Sequence, residues 1–166
     1  MNKKKLNYRV TYLEMNRKPS FDWPKNLKHK LSILLAESFP AWYFLFFYKQ
    51  VGKNYYWTDW LRKSEDEIDE FVNDKNVLLY TLIKDGWPVG FYMLDYRKKD
   101  ICDLSFFGLV DEVFGLGLGK YLLQTAILTA WDSKKIKKLT VNTCSLDHKS
   151  AIYLYQKYGF TPVKYK

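Results

Sequence analysis

The chain has 166 residues, 48% of them apolar and 19% aromatic, with 27 Lys+Arg against 18 Asp+Glu for a net charge of +9. That length suits one domain with a real core over 1–166, and the composition excludes a disordered chain. The positive surplus should attract an anion: nucleic acid, an acidic membrane or a phosphorylated small molecule. The basic start "MNKKKLNY" is not followed by an apolar stretch, so no secretory signal is expected. "LNYRVTYLEM" (6–15) alternates like a first strand. Residues 25–51 carry helical spacing interrupted at Pro40, which predicts two helices meeting there. The most apolar window, "FPAWYFLFFY" (39–48), contains a proline and is about half the length of a membrane-spanning helix. "SEDEIDEFVND" (64–74) opens a further helix, with Ser64 and Glu67 spaced as a capping box. "NVLLYTLI" (76–83) and "VGFYMLDY" (89–96) read as strands joined by "KDGWP", whose Asp-Gly marks a hairpin turn. "ICDLSFFGLV" (101–110) is a third strand. Gly108 interrupts it, as glycine does at a bulge or where something approaches the backbone closely. A helix over about 117–132, a strand over 137–144, a helix over about 149–158 and a strand end in "FTPVKY" follow. Cys102 and Cys144 are isolated, with no metal spacing, which fits a reducing compartment. A cytoplasmic protein without metal or membrane is therefore expected. The element order predicts an α+β (mixed α/β) domain with one crossover after residue 110.

"FGLGLGKYLLQTA" (114–126) sets three glycines at alternate positions before a helix. A dinucleotide loop needs GxGxxG and an acid about twenty residues on, where the chain reads "KKLTVN". A nucleoside-triphosphate loop needs GxxxxGK[ST], but Phe114 replaces its first glycine and Tyr121 its hydroxyl residue. Neither fits. The N–H groups of Gly115, Leu116, Gly117, Leu118, Gly119 and Lys120 instead converge at a helix N-terminus, whose dipole favours negative charge. Bare backbone lets a diphosphate lie close without metal. A tight turn for helix–sheet packing is the competing account of Gly115.

The stretch "LVDEVFGLGLGKYLL" resembles the acetyl-coenzyme A loop of the GNAT N-acetyltransferases, and "DHKSAIYLYQKYGF" (147–160) is similar to their downstream helix. The likeness covers about residues 77–160. "NTCSLDHKSA" and "VGKNYYWTDWLRKS" further resemble a bacterial subgroup with an aromatic-rich acceptor half. Phe114 and Leu116 stand where the family places polar or basic residues, His148 where it places asparagine, and Asp111 where it places proline. The resemblance implies a twisted mixed sheet of about six to seven strands with four to five helices. It also implies acetyl transfer from acetyl-CoA to a primary amine, by direct attack in a ternary complex. The acceptor would be a small-molecule amine or a peptide or protein amine, and the family pattern allows a homodimer.

A lysine-like amine costs about 4.6 kcal/mol to neutralise at pH 7, so a base, a water relay or a desolvating pocket is needed. By strand alternation Asp103, Ser105, Phe107 and Leu109 share one face, making Asp103 a candidate base. A strand-end carboxylate paired with a lysine is the alternative. The resemblance assigns the main chain of Phe107, Gly108 and Leu109 to the pantetheine arm and thioester oxygen, against ordinary ladder pairing. It makes Tyr155 the acid that protonates the departing thiolate, a transfer uphill by about 2 kcal/mol. Ala151, Leu154, Tyr155 and Tyr158 also form a stripe that would serve a core face. His148 is a candidate for the pantetheine or acceptor, or a structural donor. Cys144 could carry the acetyl group, although a buried thiol is the simpler account. Trp57 and Arg62 are acceptor-site candidates beside ordinary aromatic packing. Two other functions compete: an idle acyl-CoA-binding module, and a basic nucleic-acid binder. The latter would show a steep salt dependence, and no RNP-like, zinc or helix-turn-helix pattern supports it.

Overall fold

The computed structural model describes residues 7–25 and 28–163. Three expected segments run past these limits: Leu6 of the first strand, residues 26 and 27 of the stretch 25–51, and Lys164 and Tyr165 of "FTPVKY" lie outside the described residues. Among the described residues, seven strands and four α-helices follow in chain order: β1 (Val10–Met15), β2 (Leu31–Ala36), α1 (Ala41–Gly52), α2 (Glu65–Val72), β3 (Val77–Lys84), β4 (Trp87–Asp95), β5 (Ile101–Leu109), α3 (Leu118–Ser133), β6 (Lys138–Cys144), α4 (Ala151–Lys157) and β7 (Thr161–Pro162). This is the expected α+β class, with one sheet in the order β2-β3-β4-β5-β6-β1-β7. Its pairs are antiparallel except β5 with β6, which α3 connects as the crossover.

Local signals account for several boundaries. Asp85 and Gly86 have φ of 52° and 89°, the left-handed pair that a two-residue hairpin requires, and Lys84 pairs with Trp87 across it. Ser64 Oγ accepts from Glu67 N–H at 3.2 Å, and Glu67 Oε2 accepts from Ser64 N–H at 2.9 Å, closing the capping box of α2. Pro40 is the N-cap of α1. One expectation fails: the segment before Pro40 is the edge strand β2, not a helix. Its register with β3 runs from Leu31↔Lys84 to Ala36↔Leu79. A short apolar run fits either period, and the open edge of β3 supplies hydrogen bonds that an isolated short helix would lack. Leu31 and Ile33 turn toward the core, while Leu34 stays exposed.

The strand β5 holds the decisive irregularity. Leu94 pairs with Leu104 but Met93 pairs with Phe106, so Ser105 is an extra residue and the strand bulges there. The bulge inverts the alternation. Cys102 and Leu104 belong to the core cluster under α3, which Phe107 and Leu109 also join, whereas Phe106 turns to the cluster under α1 and α2. The expected shared face of Asp103, Ser105, Phe107 and Leu109 is therefore corrected: Asp103 is out of step with Phe107 and Leu109. The bulge is at Ser105 and not at Gly108, which stays in the ladder opposite Phe91. A Cβ on Gly108 would lie 2.2 Å from Val51 Cγ1, so the close approach to its backbone comes from α1.

Candidate active site

The parallel pair β5–β6 lasts only from Ile101↔Lys138 to Asp103↔Thr140. Beyond that rung β5 continues on β4 and β6 continues on β1, so the two strands part. A cavity of about 530 Å³ occupies the opening. Leu104–Leu109 of β5, Val141 and Asn142 of β6, the glycine loop with the first turn of α3, and Tyr155 of α4 line it. Along this gap the edge of β5 facing β6 carries no partner strand, so its main-chain donors and acceptors are open to a ligand.

At one end is the loop before α3. Gly115 and Gly117 have φ of 79° and 76°, and an added Cβ at either would meet no atom within 4 Å. Their selection thus lies in backbone conformation and in open space, not in helix–sheet packing. Gly117 is the N-cap of α3, and the first turn of this 16-residue helix has no side-chain cap. Gly119 sits deeper, where a Cβ would touch Leu154 and Leu109 at 3.9 and 4.0 Å. Lys120 and Lys157 add positive charge to the lining. Leu116 alone of the loop candidates points away: it is 43% exposed and does not line the cavity.

Tyr155 lies on the opposite wall. It is 6% exposed and rests edge-on against Phe107 and Phe160, with ring centroids at 6.1 and 5.8 Å. Its hydroxyl has no hydrogen-bond partner among the described residues, yet is not among the sealed unpartnered atoms, which are Asp111 Oδ1 and Trp131 Nε1. It therefore opens onto the cavity. Burial, then the charge of Asp147, pushes this phenol well above its ordinary range, so it stays protonated at neutral pH. The stripe it shares with the core and its place in the cavity wall coexist.

Asp103 ends the paired part of the sheet and does not line the cavity. Hydroxyls hold it, not the lysine considered as the alternative. Thr140 Oγ1 donates to Oδ1 at 2.6 Å and Ser105 Oγ donates to Oδ2 at 2.9 Å. Ser105 does line the cavity. Phe107, Gly108, Leu109, Gly115, Gly117, Leu118, Gly119, Lys120 and His148 all line it as well. His148 Nδ1 accepts from Ser150 N–H at 3.2 Å, which puts a neutral ring's proton on Nε2. Its ring stands edge-on to Phe114 at 5.6 Å and Tyr55 at 6.4 Å. Trp57 lines the cavity, while Arg62, in the short 3-10 turn Trp60–Arg62, does not. Cys144 is outside the lining, and burial raises its thiol, which disfavours the thiolate an acetyl-cysteine route needs.

Two residues escaped the sequence reading. Asp147 lines the cavity and accepts from Trp57 Nε1 at 3.3 Å, Thr143 Oγ1 at 2.7 Å and Cys144 N–H at 2.8 Å. Tyr55 lines it beside His148. Asp147 lay inside the quoted "NTCSLDHKSA", but a turn carboxylate before a helix carries no signal of what it faces. Among the described residues no cluster of His, Cys, Asp or Glu could hold a metal ion, and no helix is long and apolar enough to cross a membrane.

Among curated proteins, none matches this sequence. Solved structures do. The acetyltransferase of GNAT family from Streptococcus pneumoniae shares 26% identity, with TM-score 0.62, over 80% of this chain and 84% of its own. A GNAT family acetyltransferase from Elizabethkingia anophelis, solved with acetyl-CoA bound, shares 22% identity with TM-score 0.58 over 81% and 78%. A GCN5-related N-acetyltransferase from Kribbella flavida shares the fold at 13% identity and TM-score 0.63, over 93% of this chain but 56% of its own. The chain likewise spans 59% of a Staphylococcus epidermidis protein with TM-score 0.56. A family model, "Acetyltransferase (GNAT) family", matches residues 36–160. That match takes in α1, the parting strands, the glycine loop and Tyr155, and it places the chain in the acetyltransferase (GNAT) family.

Proposed function

We propose that this protein transfers an acetyl group from acetyl-CoA to a primary amine, by direct attack with both substrates bound. The observation that carries this reading is the unpartnered Tyr155 hydroxyl, set in the wall of a cavity whose far end is a glycine-lined helix N-terminus. The residues present fit the co-substrate: Gly115 and Gly117 leave space where side chains would intrude, and uncapped N–H groups face it. Acetyl-CoA supplies an activated thioester.

The chain's own groups do the rest. The loop from Gly115 to Lys120 holds the diphosphate through main-chain N–H groups, so the polar residues replaced at Phe114 and Leu116 are dispensable to the cradle. The open edge at Phe107, Gly108 and Leu109 orients the pantetheine arm and aims an N–H where charge develops on the thioester oxygen. Tyr155, kept protonated by burial, donates to the departing sulfur. Ser105 passes the amine proton to Asp103, its partner at 2.9 Å, so Asp103 serves as base through a hydroxyl. Trp57 walls the acceptor side.

Calorimetric titration of acetyl-CoA, paired with an assay of thiol release over a panel of amines, tests this reading. Wild type and Tyr155→Phe should each bind about one equivalent, and Gly117→Trp should bind none. Tyr155→Phe should lose about 10²-fold or more in kcat, the usual scale for a positioned acid. Binding without thiol release from any amine would identify an idle acyl-CoA module. Full turnover by Tyr155→Phe would remove the tyrosine from the mechanism.

A further inference from the structure

The cavity lining carries charge of both signs. Lys120 and Lys157 belong to the loop and α4, while Asp147 is the one carboxylate among the described lining residues. Asp147 is also tightly fixed. Its Oδ2 accepts from Thr143 Oγ1 and from Cys144 N–H, and its Oδ1 accepts from Trp57 Nε1. A carboxylate oxygen takes about two donors, so Oδ2 is filled and Oδ1 keeps one vacant acceptor position beside the indole edge.

The Trp57–Asp147 bond spans the gap between the parted strands. Trp57 belongs to the β5 side, packed on Phe106 and Tyr48 with centroids at 5.9 and 5.4 Å. Its Cβ fills the space over Gly52, where an added Cβ would lie 2.3 Å away. Asp147 belongs to the β6 side, three residues past the end of that strand. Hydrogen bonds from both sides of the gap thus hold the carboxylate in place. A fixed negative charge in a largely apolar cavity favours a cation there over a neutral or anionic group.

Resting on the acetyl-transfer reading, we propose that Asp147 is an anionic subsite for the acceptor, and that the acceptors are amines bearing a second, positively charged nitrogen. The two nitrogens divide the work. The reacting one loses its proton toward Ser105 and Asp103 before it attacks. The other keeps its proton, as an amine with a pKa of about 10.4 does at neutral pH. It donates one N–H to the vacant position on Asp147 Oδ1. Carboxylate-bearing amines, amino acids among them, are repelled by the same charge.

A matched series tests this: 1,3-diaminopropane, 3-amino-1-propanol and β-alanine have three-carbon chains ending in a cationic, neutral or anionic group. Wild type should show a KM for the diamine at least about tenfold below that for the amino alcohol, the scale of one charge-assisted hydrogen bond, and little turnover of β-alanine. Asp147→Asn should raise the diamine KM to the amino-alcohol value while leaving the amino-alcohol KM unchanged, and Asp147→Glu should recover part of it. Acetyl-CoA affinity should move less than about twofold in both variants. Calorimetric titration of the diamine into the free protein reads the subsite without turnover and should lose its signal in Asp147→Asn. Equal KM for diamine and amino alcohol in the wild type overturns the proposal, and that series alone decides should Asp147→Asn fail to fold. An equal loss for all three amines in Asp147→Asn also overturns it. The two readings fail separately: diamine binding through Asp147 without thiol release sinks acetyl transfer alone, and thiol release indifferent to the second charge sinks the subsite alone.

Discussion

The two faces of the sheet are filled with different chemistry. Under α3 the core is mainly aliphatic, with Leu118, Leu122, Ala126 and Ile127 against Leu13 and Leu139. Under α1 and α2 it is aromatic, with Phe44, Phe47, Phe71 and Phe91 in one cluster that Trp60 and Phe106 extend. The aliphatic face supports a binding end made of main chain, where side chains need only hold the helix in place. The aromatic face runs without a break into the cavity, because Trp57 packs on Phe106 and reaches Asp147. On the proposed acetyl-transfer reading, stability and cofactor binding are thus separable on one side, while stability and acceptor binding share the same rings on the other.

The largest test compares the two faces directly. Phe44, fully buried, touches Tyr48, Trp60, Phe71 and Phe106, and Phe44→Ala should cost about 3–5 kcal/mol while Leu122→Ala costs about 2–5 kcal/mol. At a temperature where both fold, only Phe44→Ala should raise the acceptor KM. Equal effects on that KM would break the distinction. Gly108→Ala comes next. Its methyl group would collide with Val51, at a cost of about 1–3 kcal/mol by denaturant unfolding, and Val51→Ala should recover most of that in the double variant. Failure of the rescue would mean that Gly108 answers to something other than α1. Ser64→Ala, outside the cavity lining, should cost about 1 kcal/mol and leave every binding constant unchanged.

The smallest effect is one of pH. The hydrogen bond from Lys138 across β1–β6, then that from Asn16, holds the Glu14 carboxyl below its ordinary range. A lowered carboxyl stabilises the fold above its unfolded value of about 4.5, and the contribution fades as pH falls through the folded value. Solvent screening keeps it under about 1 kcal/mol. Glu14→Gln should therefore shallow the acid side of the stability curve and leave neutral-pH amine turnover intact.

Several features were legible because their cause is local. The Ser64–Glu67 box, the Asp85-Gly86 turn and the left-handed glycines at 115 and 117 each require a residue type at its own position, so spacing alone discloses them. The periodicity of 151–158 was equally readable but ambiguous, because Tyr155 serves the core with its ring and the cavity with its hydroxyl. Long-range pairing was less so. Residues 31–36 have no strand identity without the open edge of β3, and the helix expected there followed from spacing that fits both periods. The bulge at Ser105 exists only in the register between β5 and β4, and it alone moved Asp103 out of step with Phe107.

The sequence by itself determined the class of fold, the order of most of its elements and the left-handed glycines before α3, since these rest on hydrophobic period, turn chemistry and backbone freedom within a few residues. Tertiary structure decided where the parallel strands part, which side of β5 faces the opening, and that Trp57 and Asp147, ninety residues apart in the chain, meet across it. Those outcomes depend on which edges find partners and which rings fill the space between helices and sheet, and no stretch of chain carries that information alone.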